Sequence, residues 1–449
     1  MAHFKVKRGY NIPLAGEPER VLVKGTRPKQ AAVQPADIRN FRPQVEVGPG
    51  AAVKVGSVLF VDKKHPEIRF LSPVAGTVNE VVRGERRRIM RVVVDAASGD
   101  DYEEFPKYSD DEIKRLNWEK VQSALLQGGL WPTIRQRPYS NIAALEATPK
   151  AIFISGMETA PLAADPNFYM QGLKADFQSG IYALQHLTEG KIHLSVAPDQ
   201  QDSFDGVDGV EQHTFAGPHP AGNVSVQVYH IDRLRAGESI WYISPFDVAR
   251  IGQLLKNGHY PNETIVAVAG PELEKRQYVK TISGASMVSI LPEKLDDDEQ
   301  RVLSGTVLAG TNASLEGFIG FYDHTVTVIP EVQKRRLLGW LSPGFNLASY
   351  GGTFFSSLIR NKKFVQNTDI NGDERAFVST GNYEKVMPMD ILPVHLAKAV
   401  LVEDIELMEK LGILEVAPED FALCTYICPS KIEFGEIIEH GLTLIEKEG

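Results

Sequence analysis

Ala151-Ile152-Phe153-Ile154-Ser155-Gly156-Met157-Glu158-Thr159-Ala160-Pro161-Leu162 is the stretch that decides the fold. Its first four residues are an unbroken apolar run of strand length, and Gly156 and Pro161 then mark a loop. Moving outward, a helix-like run spans Phe177 to Leu187 and a second strand spans Ile192 to Val196. A third strand at Ser239–Ile243 is followed by a helix from Pro245 to about Lys256. Strands alternating with helices predict a mainly parallel α/β sheet.

Upstream, residues 44–94 read as short strands broken by tight turns. Val45 and Val47 alternate before Gly48-Pro49-Gly50, and Val53 and Val55 before Gly56. Val58–Val61 is a buried-type strand, and Ile68–Leu71 and Ser72–Val78 follow. This punctuation predicts a small barrel or sandwich. Ser109-Asp110-Asp111-Glu112 is a capping box. It opens a helix predicted to run through Ile113, Leu116, Val121 and Leu125 and to end at Gly128-Gly129. Downstream, 262–330 returns to β character, with strands predicted at Thr264–Val268, Ser286–Ile290 and Thr325–Ile329. Residues 331–390 give no assignment. Glu403–Leu411 and Lys431–Glu448 are predicted helices.

The chain has 449 residues, 43% hydrophobic and 24% charged, enough for several cores. A net charge of -10 argues against nucleic-acid binding and against adhesion to anionic lipid by charge alone. No run approaches the roughly 18 apolar residues of a membrane span, and the N-terminus lacks the apolar core of a secretory signal. Cytoplasmic placement is therefore the expectation. Two cysteines, Cys424 and Cys428, make no disulfide framework.

Several motifs invite chemistry. Lys63 and Lys64 sit near a hairpin tip of the barrel segment, as a biotinyl or lipoyl lysine would. Their neighbours Val61-Asp62 and His65-Pro66 do not match a modification context, so a carrier-like fold without a carried group is expected. Cys424 and Cys428, four apart, share one face of a helix. Two thiolates fall short of the four that an iron–sulfur cluster needs, and a buried thiol pair is expected. Asn367 to Asp373 mimics a calcium loop but has Val378 where the closing Glu belongs, so a turn at Asn371-Gly372 explains it. His213, His219 and His230 show no metal-ligand spacing, and no metal site is expected. Arg86-Arg87-Arg88 reads as a solvated hairpin or, in the sharper reading, a docking contact, and Asp296–Glu299 as a charged loop. No nucleotide-binding Gly-x-Gly-x-x-Gly, P-loop or catalytic triad signature is present, so no catalytic residue is expected. The loop Trp131 to Ser140 combines aromatics and arginines suited to a planar ring. Trp131, Ile134, Arg135, Arg137 and Tyr139 are the quinone-contact candidates, set against a plain rigid connector.

Two loops, Gln127–Thr133 and Ser155–Leu162, resemble loops of the flavin-binding, NADH-oxidising component of complex I. There the first is a longer glycine-rich run ending Gly-Phe-Pro-Thr, and the second reads Glu-Ser-Glu-Pro-Gly. Gly128, Gly129, Thr133, Glu158 and Pro161 stand as remnants of such a flavin site. Leu130-Trp131, Ala160 and Leu162 replace the positions that need backbone access or charge. Lys5–Gly16, Leu59–Lys64, Arg135–Ser140, Gly217–Gly222 and Cys428–Gly435 together resemble the A-subunit family of sodium-translocating NADH:quinone oxidoreductases, essentially end to end.

That resemblance implies a multidomain α/β and α+β chain. Its parts would be a barrel-sandwich hybrid domain (1–105), a Rossmann-like domain related to the complex I flavoprotein (106–258), a β-grasp domain (259–330) and a mainly helical C-terminal domain (331–449). It implies a peripheral protein on the cytoplasmic face of the bacterial inner membrane. Its partners would be the B, C, D, E and F subunits, chiefly the membrane-embedded B subunit. The complex couples NADH oxidation and quinone reduction to sodium export. FMN, FAD, riboflavin and iron–sulfur centres would sit in the partners, with no redox cofactor in this chain and ubiquinone or menaquinone as its ligand. The alternatives are a flavin-dependent NADH dehydrogenase, a covalent carrier, and a quinone-binding protein acting alone.

Overall fold

The computed structural model describes residues 1–199, 202–291, 295–333, 343–359, 361–378 and 380–448. Part of the unassigned 331–390 stretch therefore lies outside the described residues.

The apolar run at Ala151–Ser155 is the centre of a six-stranded sheet. Lys191–Val196 and then Glu211–Ala216 lie parallel on one side of it, and Ile240–Ile243 lies parallel on the other. The chain thus steps away from the first strand twice and then returns to its far side, which makes a topological switch point between Ala151–Ser155 and Ile240–Ile243. Arg135–Arg137 closes one edge antiparallel to Ile240–Ile243.

Helices Lys174–Gln185 and Pro245–Asn257 pack against each other over one face. Glycines set their spacing. A Cβ at Gly180 would meet the Val248 carbonyl oxygen at 2.0 Å, and one at Gly252 the Asp176 oxygen at 1.9 Å. Phe153 lies on the opposite side, where helix Val224–Ile231 packs Val228 into a cluster with Phe153 and Tyr242.

The barrel segment forms two small sheets. One orders Gln30–Val33, Ile89–Ala96, Gly76–Arg83 and Ala52–Val53; the other orders Pro43–Val45, Val58–Asp62 and Arg69–Leu71. Phe60 and Phe70 stack at 4.8 Å in the core of this region. A third region builds a sheet from Thr311–Asn312, Gln300–Ser304, Thr325–Pro330, Glu263–Ala269 and Gln277–Ile282. Helices from Pro393 onward, ending in Phe434–Glu448, bury Cys424, Phe421 and Leu442 in a separate core.

The strands of 1–105 are shared out. Ala2–Lys5 pairs with Glu211–Ala216, and Leu22–Lys24 pairs with Gln277–Ile282, so each forms the edge of a sheet in another region.

Two local expectations are corrected. Ser286–Ile290 is not a strand: Ser286 precedes a helical turn, Met287–Ile290, whose Met287 and Ile290 enter the core while Val288 is exposed. The two buried apolar residues are three apart, a helical spacing, and five residues with so short an apolar pattern do not separate that from a strand. The long helix from residue 110 is two helices, Asp110–Ile113 and Trp118–Gln127. The capping box at Ser109 forms, but Asn117 caps afresh, its side chain accepting from the Lys120 N–H at 3.1 Å.

Candidate functional site

A cavity of about 420 Å³ opens at the carboxyl ends of the central strands, at the switch point. Ser155, the last residue of one flanking strand, and Ser244, which follows the other and caps the next helix, line its floor. The β-grasp region roofs it with Ser304–Thr306 and Phe321–Thr325, and Glu419 reaches in from the C-terminal region.

Arg135 is the cation of this cavity. Its guanidinium carbon lies 4.6 Å from the Tyr242 ring centroid and 4.3 Å from that of Tyr322, so it is held between two aromatic faces. Burial opposes the charge, but Tyr242, Tyr322 and Glu419 outweigh it and raise the pKa. The Tyr322 hydroxyl donates to the Pro132 carbonyl at 2.9 Å, and burial pushes its pKa up.

Glu158 is another wall residue, and its carboxylate accepts from the N–H groups of Thr159 and Ala160 at 2.7 and 2.8 Å. It is exposed to the cavity, and desolvation by the cavity wall raises its pKa against the pull of those two bonds. His219 bonds the Thr159 hydroxyl through Nδ1 at 3.1 Å and is held near 4 by burial, so it is neutral. His324 stacks on Tyr169 and is likewise lowered by burial. The wall thus offers one fixed cation, imidazoles whose pKa burial lowers, phenols, and in Glu158 a carboxyl of raised pKa.

The loop candidates separate. Trp131 and Ile134 are fully buried away from the cavity, with the Trp131 indole N–H donating to the Ala143 carbonyl. Arg137 is 2% exposed; it pairs with Glu419 at 2.8 Å, donates to the Ser140 hydroxyl, and lies over the Tyr242 ring. It meets the cavity through Glu419. Tyr139 packs against the C-terminal core.

The flavin-loop remnants separate too. Glu158 lines the cavity, whereas Pro161 leads into Leu162, which is buried in the C-terminal core. Gly128 and Gly129 do not form a phosphate cradle. Their N–H groups donate to Ala124 and Leu126 carbonyls of their own helix, and the Leu130 N–H donates to Leu125. Thr133 turns its hydroxyl onto the Leu130 carbonyl at 2.7 Å. A Cβ at Gly129 would sit 2.5 Å from Leu71, and one at Gly128 2.3 Å from Leu254. These glycines serve close packing, with φ +64° at Gly129, and a flavin phosphate does not fit there.

The remaining wall, from Tyr169, Tyr242, Tyr322, Asp323, His324 and Glu419, escapes a reading of the sequence because three separate regions supply it. The one local signal is the Tyr322-Asp323-His324 triplet directly before a strand, where polar groups collect at an element's end.

Three family models match the chain. They are described as the NqrA N-terminal barrel-sandwich hybrid domain (residues 4–97), the NqrA second alpha/beta domain (116–260) and the NQRA C-terminal domain (265–314). The A subunit of the Na(+)-translocating NADH-quinone reductase of Hahella chejuensis is 40% identical over 446 residues, 99% of this chain and 100% of that protein. The protein of the same name from Neisseria meningitidis serogroup C is 39% identical, and that of Photorhabdus laumondii 36%, each with the same coverage.

Proposed function

The chain belongs to the family of A subunits of the Na(+)-translocating NADH-quinone reductase, and from that premise we propose that it is a peripheral component whose interdomain cavity takes a quinone head group. As such it is part of an NADH:quinone oxidoreductase that couples electron transfer to sodium export. No described helix is long and apolar enough to cross a membrane. Docking on the B to F subunits, with the membrane-embedded B subunit as the chief contact, and the cytoplasmic face of the inner membrane complete this reading. FMN, FAD, riboflavin and iron–sulfur centres belong to the partners.

The observation that carries it is Arg135 between Tyr242 and Tyr322 in the wall of the switch-point cavity. A guanidinium held by aromatic faces is oriented to donate to a quinone carbonyl. Its charge also favours the electron density that gathers on that oxygen during reduction. The glycine loop supports a flavin-free role, because its donors are spent on its own helix and Leu71 fills the space beside it. Ubiquinone and menaquinone present the same pair of carbonyls to this wall.

The test is Arg135→Leu in the assembled complex. Loss of one charge-assisted hydrogen bond, worth about 1.5–3 kcal/mol, corresponds to a roughly 10- to 100-fold drop in kcat/KM for quinone. NADH oxidation by an artificial acceptor should persist. Unchanged quinone reduction, or equal loss of both activities, would refute the assignment.

A further inference from the structure

The neighbouring parallel strands Lys191–Val196 and Glu211–Ala216 bring three ligand-type side chains together, none of them in the wall of the switch-point cavity. We infer that His193, Glu211 and His213 form a binding site for one divalent transition-metal ion of the zinc class. His193 Nδ1 lies 3.0 Å from His213 Nε2. Glu211 Oε2 lies 3.4 Å from the first and 3.9 Å from the second. Zinc bonds nitrogen and carboxylate oxygen at about 2.0–2.2 Å, so tetrahedral donors stand roughly 3.3 Å apart. Shifts of a few tenths of an ångström bring the three atoms onto such a tetrahedron.

The surroundings hold the ligands in place. The other Glu211 oxygen, Oε1, accepts from Lys191 Nζ at 2.7 Å, which leaves Oε2 turned to the imidazoles. His193 packs on Phe153, and His213 on Phe4. Both rings are buried, while the Glu211 side chain is 44% exposed, so the ion has a route in and the fourth position faces solvent. Burial, with the His213 ring second, holds His193 near 4, and burial also lowers His213. Neutral imidazoles need lose no proton to bind at pH 7. Spacing along the chain conceals the set: the histidines are twenty residues apart and meet only through strand pairing.

The test is equilibrium dialysis of the full-length chain against zinc after chelator treatment, with metal content measured, and a parallel cobalt(II) titration read by visible absorption. One equivalent should bind, with the bands of a tetrahedral cobalt site. Even the loss of outer-shell partners weakens metal sites about 10- to 100-fold, so His193→Gln and His213→Gln should each weaken binding by at least ~100-fold. Glu211→Gln, at a half-exposed position, keeps the fold testable by circular dichroism and should shift the cobalt spectrum. Absence of zinc from the wild-type chain would overturn the site and leave a hydrogen-bonded imidazole pair. Equal zinc content in wild type and all three variants would overturn it as well.

Discussion

Removing Glu419 should harm this protein more than removing its partner Arg137, although Arg137 is the more buried of the two. Arg137 is 2% exposed and the Glu419 side chain 40% exposed. In Glu419→Ala the guanidinium stays inside with its carboxylate gone. Breaking a buried pair in this way costs roughly 3–5 kcal/mol. Arg137 keeps the Ser140 hydroxyl and the Tyr242 face, the latter worth up to ~2 kcal/mol when desolvated. A loss of about 1–3 kcal/mol remains. In Arg137→Met an apolar chain of similar length fills the same space, and Glu419 turns into the cavity water. Asp420 keeps its bonds from Asn223 and Ala417. That change should cost about 1 kcal/mol or less. The double variant should match Arg137→Met alone, a coupling of about 2 kcal/mol. Urea unfolding of the purified chain, followed by tryptophan fluorescence, reads this directly, because Trp131 and Trp241 meet at 5.5 Å inside the α/β core. If Arg137→Met is as damaging as Glu419→Ala, or if the two effects add, the account of the pair is wrong.

Asp37 gives a pH signature. Burial is the main cause that lifts its carboxyl to about 6, from an ordinary 3.8. A raised acid binds its proton more tightly folded than unfolded, so its contribution to stability declines as pH rises from about 4 to about 6. Asp37→Asn should remove that decline and raise stability at pH 7, by at most about 3 kcal/mol, since Asn still accepts from the Phe321 N–H. Thermal melts from pH 4 to 7 check it, and parallel curves for variant and wild type would count against it. Cys424 and Cys428 are both buried, and burial pushes the Cys424 thiol well up. Both should resist alkylation at pH 8 in the native chain and react promptly in urea, with mass spectrometry as the readout.

Local signals reveal the elements and hide their assembly. The apolar run at 151–154, the Pro245 that opens a helix and the capping box at Ser109 are each decided within a few residues, and each appears in the structure. Ser286–Ile290 is ambiguous for the same reason: five residues do not separate two periods. The cavity is a different case. Arg135 is visible in the sequence as a cation beside aromatics, but its clamp comes from Tyr242 and Tyr322, brought in by tertiary packing. Gly128-Gly129 carries the letters of a phosphate loop, yet only the structure shows Leu71 and Leu254 in contact with it and its donors turned inward.

The edge strands Ala2–Lys5 and Leu22–Lys24 bear on how the molecule is made. During synthesis they leave the ribosome well ahead of their pairing partners, at 211–216 and 277–282, which follow more than two hundred residues later. Until those partners arrive, both early strands wait unpaired. These two strands are thus made early and seated late, and a chain without residues 2–24 would keep both sheet borders open to pairing with a neighbour.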